Sequence, residues 1–236
     1  MLPLLIRSKG KVPWYLSGNI PLANCIAAYK PKGAASYAAS KVNIVNPGTY
    51  DLSDGAAFPT WDAVNGWTFV DGSLQYLTIA SAIITGVPFT MVCRFNADTV
   101  DLGYTHISIC DTALENAYAL QAVGSVAGDP VRMQANDNPN YGLALTSTGF
   151  TAGAWHTAAG VGIAANSWAA YIDGGSKGVS GLAATVTGLD TTYIGAISIA
   201  GVLFWYFDGK ISACAVYNIA LSDAQVLSLH TAMAAL

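Results

Sequence analysis

From Trp61 onward, short apolar runs alternate with clusters of Gly, Asn and Asp about every 8 to 14 positions. A two-residue period over runs this short marks strands with one buried face, and the regular spacing predicts an all-β sandwich or barrel. Eleven strands follow: Trp67–Phe69, Gln75–Ile79, Phe89–Phe95, His106–Cys110, Ala117–Val123, Arg132–Ala135, Gly142–Thr146, Trp155–Ile163, Trp168–Ile172, Thr192–Gly195 and Phe207–Tyr217. Asp173-Gly174-Gly175 closes a hairpin, because glycine takes the positive φ that such turns need. Phe89, Met91, Cys93 and Phe95 share one strand face, so Cys93 reads as a buried thiol.

The two ends break this pattern. At the C-terminus, Ser222-Asp223-Ala224-Gln225 is an S-x-x-Q capping box that opens a helix to about Ala234. Leu221 staples onto Val226, and Val226, Leu229 and Met233 lie at helical spacing, so one face docks on the sandwich. At the N-terminus, Pro3, Pro13, Pro21, Pro31 and Pro47 leave no room for a long element. Residues 1–60 are therefore expected to form an extended arm with one short helix between Gly33 and Val42, and residues 61–236 the folded domain.

Composition sharpens this division. Lys and Arg number six before the first acid, Asp51, whereas the rest of the chain sets four basic residues against all fourteen acids, a net of -10. The basic arm lacks the dense cationic runs of a phosphate-tracking surface, which argues against nucleic acid. Charged residues make up only 10% of the chain, little to coat a free monomer, and an assembled homo-oligomer is expected. The apolar run Met1–Ile6 is too short for a secretory h-region, no run of about 18 apolar residues exists to span a membrane, and no C-x-x-C spacing appears. These features fit a reduced protein made inside a cell.

Three short strings carry possible chemistry. Gly174–Gly178 matches G-x-S-x-G, with Asp190 and His230 following in hydrolase order, but the string joins two strands where a nucleophile elbow needs a strand-to-helix turn. Gly160–Ala165 matches G-x-G-x-x-A without the helix that would cradle a pyrophosphate. The loop Asn136, Asp137, Asn138, Pro139, Asn140, Tyr141 is rich in oxygen: it suits calcium, with Asp71 and Asp173 as other loop acids, or a sugar stacked on Tyr141, or a plain polar turn. His106, His156 and His230 form no metal-binding pair in sequence. Trp155, Trp168, Phe204, Trp205 and Tyr206 could form a carbohydrate platform, but Trp155 and Trp168 are expected in the core, and Phe204-Trp205-Tyr206-Phe207 sets aromatic rings on both faces of a strand and implies a covering partner.

The ordered pieces Trp67-Thr68-Phe69 with Gly72–Leu77, Phe89–Phe95, Trp155–Ala159 with Ala170–Gly174, Thr192–Gly195, and Phe207–Ile211 through Val216-Tyr217-Asn218 and Leu221-Ser222 resemble the laminin-G-like, concanavalin A-like lectin/glucanase domain over about residues 61 to 232. The resemblance implies a jelly-roll sandwich of two antiparallel sheets, one of them often a sugar-binding face. Retaining glucanases on this fold set two carboxylates about 5 Å apart, usually both glutamate, and Glu115 is the one Glu here, so no catalysis is expected. Gly18–Pro21, Cys25–Tyr29, Gly33–Tyr37 and Asn46–Tyr50 resemble the leader of laminin-G-like proteins of tailed bacteriophages. The expected role is a non-enzymatic virion structural or decoration protein, made in the host cytoplasm. Its arm would be anchored to other virion proteins through Arg7, Lys9, Lys11, Trp14, Lys30 and Lys32, and its jelly roll would bind surface glycans. A free carbohydrate-binding module and a degenerate glycanase are the alternatives.

Overall fold

The computed structural model describes residues 12–236. All eleven alternating segments form strands, and six short ones join them. In chain order they are β1 (Cys25–Tyr29), β2 (Ser53–Asp54), β3 (Thr60–Asp62), β4 (Gly66–Phe69), β5 (Leu77–Ile79) and β6 (Phe89–Ala97). Then come β7 (Gly103–Cys110), β8 (Ala117–Val123), β9 (Pro130–Asp137), β10 (Asn140–Gly149), β11 (His156–Ala164) and β12 (Ser167–Ile172). The last are β13 (Gly175–Ser180), β14 (Thr191–Ile194), β15 (Ile197–Ile199), β16 (Val202–Phe204) and β17 (Gly209–Tyr217). Two helices, α1 (Tyr37–Ser40) and α2 (Asp223–Ala234), complete the described elements.

The strands form two large sheets, an eight-stranded one in the order β13-β12-β11-β6-β17-β4-β3 with β1 also on β17, and a seven-stranded one in the order β10-β9-β8-β7-β14-β5-β2. Pairing is antiparallel throughout. The inner faces meet in one apolar core around Trp67, Phe69, Phe89, Phe95, Trp168 and Phe207, and the protein is a jelly-roll sandwich. Alternation dictates this arrangement: on β6, Phe89, Met91, Cys93 and Phe95 enter the main core while Val92 faces the opposite side. Asp173 (φ 51°) and Gly174 (φ 73°) form the expected turn between β12 and β13.

The opposite side of the eight-stranded sheet is covered as well. There Trp14, Ile20, Cys25 and Ala28 pack with Val92, Ala159 and Tyr217 and with Val226, Leu229 and Met233 of α2. The capping box closes as the sequence predicts: Gln225 N donates to Ser222 Oγ at 3.4 Å and Ser222 N to Gln225 Oε1 at 3.0 Å.

The extended arm expected over residues 1–60 is, over its described part, packed into the body. β1 pairs along β17, from Cys25 opposite Tyr217 to Tyr29 opposite Cys214. Asn43, wholly buried, clips the following loop to β1: its Oδ1 accepts from Ala28 N and Val45 N, and its Nδ2 donates to the carbonyls of Ile26 and Thr49. The short helix forms as α1, where Ser40 Oγ accepts the indole N–H of buried Trp67 at 2.8 Å. Prolines do forbid long elements here, but the apolar side chains between them gain more from burial than an exposed arm allows.

Candidate functional site

The outer face of the seven-stranded sheet is covered over its middle strands and accessible along β10, where Tyr141 and Leu145 are exposed. On β9, Val131, Met133 and Ala135 face the core, so Arg132, Gln134 and Asn136 face outward. In register beside them stand Gln121, Ala119 and Ala117 of β8 and Leu145, Leu143 and Tyr141 of β10. The β15–β16 hairpin rises over the middle of the sheet, where Ile197 packs on Cys110, Ala117, Ala119 and Tyr193. The chain then leaves β16, and Trp205, in a left-handed conformation (φ 48°), places its ring 5.3 Å from the Arg132 guanidinium. Beyond the hairpin, Leu143, Leu145 and Tyr141 (42% exposed) of β10 lie beside the half-buried Arg132, with Trp205 (41% exposed) as a second aromatic surface.

Hydrogen bonds hold Arg132 in place. Arg132 Nε donates to Gln121 Oε1 at 2.8 Å, and Gln121 Nε2 donates to Thr105 Oγ1 at 3.1 Å. Burial draws the Arg132 pKa down to about 10, and no carboxylate stands close enough to raise it. Gln134 is 5% exposed, and its Oε1 is buried without a donor. A fixed guanidinium beside exposed aromatic rings suits a ligand that offers both polar groups and a ring face.

The loop singled out in the sequence borders this face, but its members separate. Asn136 Oδ1 accepts from Asn138 N at 3.0 Å within the β9–β10 turn, which contains a cis Asn138–Pro139 bond. Asp137 Oδ2 accepts from Thr185 N at 2.5 Å and so ties down the 182–188 segment. Asn138 Nδ2 donates to Glu115 Oε2 at 2.9 Å beside a cavity of about 290 Å³ lined by Leu114, Asn116 and Ala200. Asn140 and Tyr141 are exposed. Among the described residues, no three His, Cys, Asp or Glu side chains gather where a metal ion would sit. Of the expected anchoring residues, Arg7, Lys9 and Lys11 lie outside the described residues. Trp14 is buried beneath α2 instead of displayed, since its ring belongs to the apolar cluster there. Lys30 and Lys32 are half-buried, and Lys30 lines a cavity of about 300 Å³ together with Trp14, Ala232 and Leu236.

The remaining strings resolve into structure. Ser176 lies on β13 in an antiparallel hairpin, its Oγ 2.6 Å from Thr148 Oγ1, and Asp190 bonds Thr112 and not His230. Two histidines instead flank Asp173. His156 Nδ1 donates to Asp173 Oδ2 at 2.7 Å while its Nε2 accepts from Thr151 N, and His230 Nδ1 lies 3.7 Å from Asp173 Oδ1. Burial raises the Asp173 pKa, but the His156 and Thr157 N–H bonds outweigh it and leave the carboxyl below its usual range. This group joins the hairpin to α2. Gly160 and Gly162 lie on β11, where a Cβ would strike Met133 Sδ at 2.6 Å and the Phe89 ring at 2.5 Å, so these glycines serve packing. Trp168 is core as expected, whereas Trp155 is half-exposed, 5.8 Å from the Arg94 guanidinium. The expected Phe204–Phe207 strand ends at Phe204, and the turn at Trp205 sends Phe207 into the core and Trp205 outward.

Sequence reasoning named Trp205 among the candidate platform aromatics but missed Gln121, Arg132 and Gln134 beside it. The signal was present in Arg132-Met133-Gln134-Ala135-Asn136, where long polar side chains alternate with core positions.

A model of the concanavalin A-like lectin/glucanases superfamily matches residues 71–227. No curated protein matches the sequence. Among solved structures, domain 4 of AbnA, a GH43 extracellular arabinanase from Geobacillus stearothermophilus in complex with arabinotriose, is 15% identical with a TM-score of 0.56, covering 88% of this chain and 98% of that one. The CBM40 of Ruminococcus gnavus IT-sialidase, bound to α2,3-sialyllactose, is 14% identical with a TM-score of 0.52, covering 62% and 84%. The NanB sialidase of Streptococcus pneumoniae is 16% identical with a TM-score of 0.51 over 61% of this chain, which spans only 24% of that one. At such identities the likeness is one of fold.

Proposed function

The chain belongs to the concanavalin A-like lectin/glucanases superfamily, and from that premise we propose that it is a saccharide-binding jelly roll without catalytic chemistry, carried as a structural or decoration component of a bacteriophage virion. One observation carries the binding half. The two inner faces form the core, the N-terminal segment and α2 cover one outer face, and the other outer face stays accessible along β10, where Tyr141 and Trp205 are exposed and Arg132 is half-buried. Relatives of the same fold in complex with arabinotriose and sialyllactose support that use of the fold. Absence of catalysis is supported by the single glutamate, Glu115, whose carboxylate is held by Asn138 Nδ2 at 2.9 Å.

The virion half rests on the leader's resemblance to phage proteins and on the sparse charge, with other virion proteins and a second copy of the chain as partners. Peptide mass spectrometry and antibody labelling of purified particles test it, and particles free of the chain overturn it. The saccharide-bound relatives favour one second reading, a free carbohydrate-binding module, which predicts the same binding and no incorporation. Binding is tested by screening the full chain against a saccharide array with calorimetric follow-up. Trp205→Ala is expected to weaken any hit by at least about tenfold through lost ring contact, and no binding at millimolar saccharide overturns the reading.

A further inference from the structure

Arg132 is the one Lys or Arg in the strands of the seven-stranded sheet. The ion pairs of the described residues are Lys41–Asp54, Lys177–Asp223, Lys210–Asp98 and the two histidines on Asp173, and Arg132 takes part in none of them. Its Nε is committed to Gln121, but its two Nη nitrogens make no hydrogen bond to a described residue and are not sealed from solvent. The side chain is nonetheless largely withdrawn from water, lying against Trp205. A guanidinium with five N–H donors, held in one orientation and left without an acceptor on one edge, is a ready counterpart for a planar bidentate anion.

One further observation narrows the anion. The stretch from Asp51 onward is net -10, so no diffuse positive field attracts polyanions and recognition depends on the fork itself.

We propose that the saccharide taken by this face is acidic, its sugar carboxylate gripped by the two Nη nitrogens of Arg132 and its ring laid beside Trp205. This rests on the reading of the face as a saccharide site and adds the chemical class of its ligand. A uronate and a sialate offer the same carboxylate, and the test separates them.

The full chain is titrated calorimetrically with tetragalacturonate and its methyl ester, and with 3′-sialyllactose and lactose. One acidic member binds at least about tenfold more tightly than its uncharged counterpart, and which one binds identifies the source of the carboxylate. Arg132→Met, which keeps the stem against Trp205, loses that preference, and Arg132→Lys, which keeps the charge without the fork, loses most of it. The acid-against-ester comparison uses the unaltered chain, so a variant that misfolds does not decide the matter. Equal binding of charged and uncharged saccharides overturns this inference and leaves the saccharide reading standing. Binding of none of the four, or of other saccharides, at millimolar concentration overturns both.

Discussion

At the scale of single residues, the molecule departs most from ordinary packing at His106. The ring is fully buried on β7 against Phe95 and Phe207, at centroid distances of 4.2 and 5.2 Å, with neither nitrogen hydrogen-bonded. Burial lowers its pKa from 6.5 to about 3. Between those values the unfolded chain binds a proton that the folded chain refuses, so stability is full above about pH 6.5 and falls as the pH drops, by at most about 1.4 kcal/mol per unit. His106→Leu is expected to flatten the loss of melting temperature between pH 6.5 and 4.5, and equal slopes for the two proteins would show that the ring is not held neutral. Asn43 is a second such residue, because all four of its side-chain hydrogen bonds serve the backbone. Asn43→Ala leaves buried groups unpaired and should cost at least about 2 kcal/mol in urea unfolding. Neither role was legible beforehand, since His106 reads as any strand residue and Asn43 lies in a stretch with no period.

Among the elements, those with a clear two-residue alternation were legible and those held by context were not. β8 appears with its predicted bounds, Ala117–Val123. The glycine-rich β13, Gly175–Ser180, has no apolar alternation of its own and is a strand because β12 supplies its partners. β1 was hidden by neighbouring prolines, although Cys25, Ala27, Ala28 and Tyr29 are all buried. That burial changes the expected behaviour of a truncation. An arm could be removed without harm, whereas loss of residues 1–50 strips Trp14, β1 and the Asn43 clip from the body. The shortened chain should therefore lack a cooperative thermal transition by circular dichroism, and a sharp transition near that of the full chain would restore the idea of a separable arm. α2 was legible from its cap and from the helical spacing of Val226, Leu229 and Met233, and Ser222→Ala should cost about 1 kcal/mol by the same measurement.

For the whole molecule, the sandwich followed from spacing, but its binding face depended on which side the chain ends cover. No sequence pattern states that α2 and the N-terminal segment share the eight-stranded sheet, or that the turn at Trp205 carries an aromatic ring to Arg132, far away in sequence. The loop at Asn136–Tyr141 was noticed because its residues are adjacent, whereas Arg132 meets Gln121 only through sheet register and Trp205 only through the turn after β16. The central claim is that this face, and not the surface around Asp173 and α2, receives a saccharide. Amide and indole chemical-shift mapping of the isotope-labelled full chain, titrated in turn with tetragalacturonate and 3′-sialyllactose, tests it most directly. The expected shifts gather at Gln121, Arg132, Gln134 and the Trp205 indole, and shifts confined to the α2 side, or none with either saccharide, would contradict the account.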